Sequence, residues 1–224
     1  MTLHHSLALD MAVFLAWNSI PLPPAVLGVV AGSDRAHLNN AVVSEGATVY
    51  DGDHFSTEAG GMLLLRGETT TLELSEESAV IVRSGANGAQ SMEAELGRGT
   101  LVFSATRAAA VEIAAEGGLI RPAEDARTVG QVSIISPKEL RVYARRGSLQ
   151  FSYKGETRTI AEGESYRVIL DPPGDARSSK GGSRSATRRK AFLFVAIGSG
   201  AALAGAMIFE HPSHKHPVES PDHP

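Results

Sequence analysis

Few residues in this sequence are able to do chemistry, and their spacing suits it poorly. Asp51, Asp53 and His54 stand together in YDGDHFST, and carboxylates beside an imidazole are the raw material of acid–base catalysis. Asp-Gly-Asp is equally the sequence of a tight turn, in which Asp bonds nearby backbone and Gly supplies positive φ, and the turn is what we expect. A metal-bearing β-roll needs closely spaced histidines with a carboxylate, whereas the central region holds only His37 and His54, far apart and without a His-x-His. Both are expected at the surface or on a strand edge. His211, His214, His216 and His223 lie among prolines near the end of the chain, so they are expected to hold a divalent ion weakly and adventitiously. A nucleophile elbow of the G-x-S-x-G kind is missing, and GDARSSKGGS lacks the glycine directly before its lysine that a phosphate-binding loop requires. There is no cysteine, which excludes disulfides, thiol catalysis and Cys-ligated zinc. The expectation is a protein that is not an enzyme, with no catalytic, cofactor-binding or metal-binding residue to name.

The charged residues say more through their placement. A net charge of −4 is too mild to suggest nucleic acid as a partner. Arg177, Lys180, Arg184, Arg188, Arg189 and Lys190 nevertheless form a basic run in DPPGDARSSKGGSRSATRRK, residues 171–190, whose Pro, Gly and Ser content reads as a flexible linker. Directly after it comes AFLFVAIGSGAALAGAMIF, residues 191–209, free of charge and bounded by Lys190 and Glu210. As a helix of about 19 residues it would extend roughly 28 Å, close to the bilayer's hydrocarbon thickness. A buried core helix is the alternative, but the run is apolar on every side and lies outside the β-rich region. A single transmembrane helix is therefore expected, with Ala191, Phe192 and Phe209 as anchor residues and Arg188, Arg189 and Lys190 against anionic headgroups. Gly198 with Ala202, and Ala201 with Gly205, are small-residue pairs four apart that allow two such helices to approach and form a homo-oligomer; they are equally ordinary membrane-span composition. Residues 210–224 cannot bury apolar area and are expected to be disordered. At the other end, residues 1–24 carry the short apolar run MAVFLAW, which reads as a signal remnant if the chain starts further upstream, although no Lys or Arg precedes Arg35.

Between residues 25 and 170 the texture is that of strands. Short β-favourable runs alternate with turn residues: AVLGVV, ATVY, MLLL, TTLEL, AVIV, TLVFSA, VEIAA, QVSII, LRVYA, SLQFSY and SYRVIL. Leu149, Phe151 and Tyr153 alternate with Ser148, Gln150 and Ser152, and Val111 and Ile113 flank Glu112, the period of two expected of half-buried strands. Turns are expected at Asp51-Gly52, Gly60-Gly61, Gly117-Gly118, Lys154-Gly155 and Glu162-Gly163. RGTLVFS at 98–104 and RGSLQFS at 146–152 nearly repeat one another, which predicts two Arg-Gly turns, each feeding a strand that buries Leu and Phe. The fold class is thus all-β, with antiparallel strands in a sandwich or roll carrying a two-fold pseudo-repeat, followed by one transmembrane α-helix.

The segment GATVYDGDHFSTEAGGMLLLRGETTTLELSEESAVIV at 46–82 resembles the opening of FecR-like domains, carried here by Gly46, Val49, Gly52, Asp53, Phe55 and Thr57. The strands with Leu96, Gly99, Leu101 and Phe103, and with Gly147, Leu149 and Phe151, are similar to that family's later strands, and KGETRTIAEGESYRV to its closing strand-turn-strand. The resemblance covers residues 25–170 and implies a bacterial cell-envelope β domain that binds or senses and relays its state to a partner, without chemistry of its own. Family members place a cytoplasmic segment and a membrane span before the β domain. Here the span follows the domain and no separate sigma-factor-binding region is visible, so the resemblance carries only fold and a generic binding role.

Two signals oppose each other on orientation. Six basic residues precede the apolar run and only Lys215 follows it, which puts the β domain in the cytoplasm, while the resemblance puts it outside. The expected function is a non-catalytic, membrane-anchored binding or scaffold module of the bacterial inner membrane. Its partners would be the lipid bilayer and an envelope protein or glycan. The alternative is a signalling regulator acting through self-association of the membrane helix.

Overall fold

The structure, a computed structural model, describes residues 24–86, 88–172 and 191–197. They form β1 (Val26–Leu38), β2 (Ala41–Val42), β3 (Thr48–Tyr50), β4 (His54–Arg66), β5 (Thr70–Leu74), β6 (Ala79–Gly85), β7 (Gly88–Arg98) and β8 (Thr100–Ala105). After a short 3-10 turn at Ala108–Ala110 come β9 (Val111–Ala115), β10 (Gly118–Pro122), β11 (Thr128–Ser136), β12 (Glu139–Arg146), β13 (Leu149–Tyr153), β14 (Glu156–Ile160), β15 (Ser165–Leu170) and β16 (Phe192–Ala196). Each of the eleven β-favourable runs read from the sequence falls on one of these strands, three of them beginning one residue before it.

One continuous sheet runs β14-β13-β10-β9-β7-β6-β4-β5-β8-β11-β12-β15-β16, with β1 laid along β4 and also pairing β2 and β3. Every pairing is antiparallel except β7 with β9, which is parallel. The sheet curls so that its two ends approach. The Phe151 ring on β13 lies 5.2 Å from Phe192 and 5.6 Å from Phe194 on β16. Alternate side chains fill the space between: Leu63, Leu65, Leu72, Leu101, Phe103, Val132, Leu140 and Val142 from one half, and Val82, Ala94, Leu96, Ile113, Ile120, Leu149 and Phe151 from the other, all buried. Burial of each large apolar side chain is favourable by roughly 1.5–3 kcal/mol, which makes this shared interior the main source of stability.

The bend that folds the sheet over is at Gly60-Gly61, where the sequence predicts a turn. Instead β4 continues through the pair, and its two ends serve different neighbours: His54–Ser56 pair with β6, and Leu63–Arg66 with β5. The register against β1 slips at the same place, between Asp34 and Ala36. A Cβ at Gly61 would stand 2.8 Å from the Arg35 carbonyl oxygen and 3.0 Å from that of Asp34, so only glycine lets the strands stay together through the corner. Two glycines that read as a chain reversal are a corner because β1 follows β4 on both sides of them, while β6 holds the arm before and β5 the arm after. Of the other expected turns, Glu116-Gly117, one residue earlier than expected, and Lys154-Gly155 close the β9–β10 and β13–β14 hairpins, whereas Asp51-Gly52 and Glu162-Gly163 are tight turns between strands that do not pair with one another.

The pseudo-repeat is present and has a specific use. Gly99 and Gly147 have φ of +80° and +67°, and the Leu and Phe that follow each are buried. Neither Arg-Gly turn makes a hairpin. β7 pairs with β6 and β9 while β8 pairs with β5 and β11; β12 pairs with β11 and β15 while β13 pairs with β10 and β14. Each turn is an arch that carries the chain across the core from one half of the sheet to the other.

The expected transmembrane helix at 191–209 meets the structure only at its start, where Phe192–Ala196 are a strand. This corrects the sequence reading over those residues. β15 would otherwise leave its outer backbone groups unpaired, and Phe192 and Phe194, both on one face of an extended chain, find aromatic neighbours inside the curl. Among the described residues no helix is long and apolar enough to cross a membrane.

Candidate docking edge and its aromatic seat

β15 is reached from β14 through the Glu162-Gly163 turn and pairs with β12 along Glu139–Tyr143, which leaves its other edge free for β16. Five residue pairs hold β16 there, from Leu170 opposite Phe192 to Tyr166 opposite Ala196. Backbone bonds from Asp171 N–H to the Ala191 carbonyl (2.8 Å) and from Ile197 N–H to the Ser165 carbonyl (2.9 Å) extend the pairing at each end.

Side chains then divide by face. Phe192 is 5% exposed and meets Phe151 edge-on, and Phe194 lies 5.1 Å from Tyr166 and 5.2 Å from Phe192 in the same manner. Edge-to-face rings are worth about 0.5–1.5 kcal/mol per pair beyond their burial. Burial, with Glu164 nearby, raises the Tyr166 phenol above its ordinary value, so it stays neutral. On the opposite face Leu193 and Val195 are each 42% exposed, and Ile197 beyond the strand is 38% exposed. The strand is therefore read by its two rings and its backbone, while its remaining apolar side chains face outward.

Asp171, just past β15, latches this corner. Its carboxylate accepts from the Tyr153 hydroxyl at 3.0 Å and from Lys154 Nζ at 2.6 and 2.8 Å, with Lys138 Nζ 3.9 Å away. Tyr153 and Lys154 belong to the β13–β14 hairpin at one end of the sheet and Lys138 to the β11–β12 hairpin near the other. The Lys154 hydrogen bond holds the Asp171 carboxyl below its usual value, with smaller help from Tyr153 and Lys138. Outside β16, Arg167 forms an ion pair with Glu139, donating from Nη2 to Oε2 at 2.9 Å, and that bond lowers the Glu139 carboxyl. Arg141 faces Arg167 across the strands and Arg167 faces Val195, so cationic and apolar side chains adjoin on this outer face.

Of the residues singled out in the sequence, Ala191 and Phe192 belong to this site. Phe209, Gly198, Ala201, Ala202, Gly205, Arg188, Arg189 and Lys190 lie outside the described residues, as do the amino-terminal run and the four carboxyl-terminal histidines. Asp53 accepts the Tyr50 N–H at 2.8 Å within the turn, as the turn reading expects, whereas Asp51 accepts the Ser84 N–H at 2.6 Å on the distant strand β6, so both carboxylates brace backbone. His54 is exposed on β4, and His37 Nε2 lies 3.3 Å from Glu58. Among the described residues no three His, Cys, Asp or Glu converge as a metal site would need. Sequence reading missed the aromatic seat itself. Its trace is the spacing Phe192-x-Phe194, hidden because every neighbour is also apolar.

No protein-family model matches the chain, and no curated protein does either. Among solved structures it is similar to two crystal structures from Parabacteroides distasonis ATCC 8503 of a protein proposed to be an anti-sigma factor. Identity is 11% in both, with TM-scores of 0.45 and 0.43. The match covers 64% of this chain and 59% of that one, so this chain spans less than two thirds of its structural neighbour.

Proposed function

We propose that this chain is a non-catalytic docking module of the bacterial cell envelope, held at the inner membrane by the apolar run 191–209 and engaging an envelope protein or glycan through its sheet edge. The observation that carries this reading is the position of the edge. The last strand and the beginning of the apolar run are the same residues, so a bilayer tether leaves the domain directly from its open side. The mixed cationic and apolar face of Arg141, Arg167, Leu193 and Val195 supports contact with an anionic surface, to which the basic run 177–190 adds about 1 kcal/mol per residue close to the headgroups. The engagement of Asp51 and Asp53 with backbone amides favours binding over catalysis.

Protease treatment of whole cells after outer-membrane permeabilisation tests the proposal. Digestion of the β domain is expected, with the tethered fragment retained in the membrane pellet. Protection until the inner membrane is lysed would move the domain, and the search for its partner, into the cytoplasm. Release of the whole chain by alkaline carbonate would remove the tether.

A second reading, regulation through association of the membrane segments, rests on the small-residue pairs Gly198/Ala202 and Ala201/Gly205. Gly198→Leu with Gly205→Leu would abolish that role and leave edge docking intact.

A further inference from the structure

The apolar run is needed in two places at once. As a span, residues 191–209 reach roughly 28 Å; with Phe192–Ala196 kept in the sheet, the apolar remainder from Gly198 is about 12 residues, or about 18 Å of helix, well short of the roughly 30 Å hydrocarbon core. A bilayer-integrated chain has therefore taken β16 out of the sheet. What it leaves is a row of unpaired backbone groups along Tyr166–Leu170 and a slot walled by Phe151 and Tyr166. An open edge beside side-chain slots is the geometry that accepts an added strand.

We propose that this seat is a receptor for an extended segment of a partner protein bearing two aromatic residues two positions apart, and that β16 is its resident, displaceable ligand. This deepens the docking reading and rests on the membrane tether proposed above. β16 itself defines the specificity. Phe192 and Phe194 enter the slot, Leu193 and Val195 do not, and the Asp171 N–H and Ser165 carbonyl mark the two ends of an antiparallel segment. Residues between the rings are free to vary, while their backbone must be able to donate.

The absence of cysteine permits a clean test on the full chain. Ile169 and Leu193 lie opposite one another, and facing residues of an antiparallel pair stand about 4.5–5.5 Å apart, within disulfide reach. Ile169→Cys with Leu193→Cys, oxidised, pins β16; reduced, it frees it. Wild-type and variant chains are added to phosphatidylglycerol–phosphatidylcholine vesicles, then assayed for carbonate resistance and for binding a labelled peptide of residues 190–198 or its double Phe→Ser control. The reduced variant and the wild type are expected to integrate and to bind the peptide at least about tenfold more tightly than the control, a gap of about 1.4 kcal/mol. The oxidised variant is expected to be extracted and to lose the difference. Integrated chains that ignore the peptide, or bind the control equally, would overturn the receptor and leave the tether standing. Equal integration of oxidised and reduced chains would overturn the competition. Failure of every form to integrate would remove the tether and the proposal with it. A dimer dissolved by the peptide would mean that a second copy fills the seat, against a distinct partner.

Discussion

Ser78 is buried, and its hydroxyl accepts the Thr100 N–H at 2.9 Å while lying 3.1 Å from the Thr100 carbonyl oxygen it can donate to. Thr57 Oγ1 accepts the Ser78 N–H at 3.0 Å, and Thr100 Oγ1 donates to Ser133 at 2.9 Å, so four polar side chains are satisfied together beside the Gly99 arch. Ser78→Ala leaves the Thr100 amide without its partner and is expected to cost about 1–3 kcal/mol, read from the urea midpoint. Asp171 supplies a second prediction at this scale, with its sign set by the depressed carboxyl. Its stabilising contribution is complete above the ordinary Asp value and is lost as pH falls through the lowered one. Lys154, raised chiefly by the same hydrogen bond, keeps its side of the contribution until pH climbs through its raised value. The latch thus spans the neutral range and is lost in acid through Asp171 and in strong base through Lys154. Asp171→Asn should flatten the acid limb of a stability–pH profile, and an unchanged limb would assign that limb to other carboxylates such as Glu139.

Among the elements, β16 and β13 share one aromatic cluster yet are expected to respond differently. Phe151→Ala opens a cavity among fully buried neighbours and should destabilise the whole domain by about 3–5 kcal/mol. Phe194→Ala removes a half-buried ring that holds the last strand against Phe151 and Tyr166, so its effect should appear chiefly as faster amide exchange along Leu193–Ala196 with a smaller shift of the global midpoint. The same contrast explains what the sequence discloses. β8, β9 and β13 were legible because alternation is visible when polar residues separate the apolar ones. β14, ETRTI, exposes Thr157, Arg158 and Thr159 and offers only Ile160 to the core, so it carries no readable face. β16 fails for the opposite reason, since a strand with apolar residues on both faces has the composition of a membrane helix. Gly60-Gly61 reads as a reversal because the β1 residues that keep β4 paired on both sides of the corner are distant in sequence. Aromatic spacing at 192 and 194 was on view, but the ring that receives them, Phe151, is brought near only by the curl.

At the level of the whole molecule, the two arches interleave the halves of the sheet. β8 is laid in one half, β9 and β10 in the other, β11 and β12 back in the first, and β13 across again. Neither half can therefore close its interior alone, and unfolding is expected as one transition, with far-ultraviolet circular dichroism and the near-ultraviolet signal of the tyrosines sharing a midpoint. Pairings of long sequence separation also predict slow folding, on the order of milliseconds to seconds for domains dominated by such contacts.

The attachment of the apolar run at Ile197 has a mechanical consequence. Ile197 lies beside Ser165, at the end of the β15–β16 pair remote from Ala191. A load applied there perpendicular to the strand is borne by one residue pair at a time and peels β16 from Ala196 toward Phe192. A load along the strand is shared by all five pairs. Under the membrane tether proposed above, a pull on that end would empty the seat at low force in the first direction and at much higher force in the second, so the direction of the pull would govern how readily the edge opens.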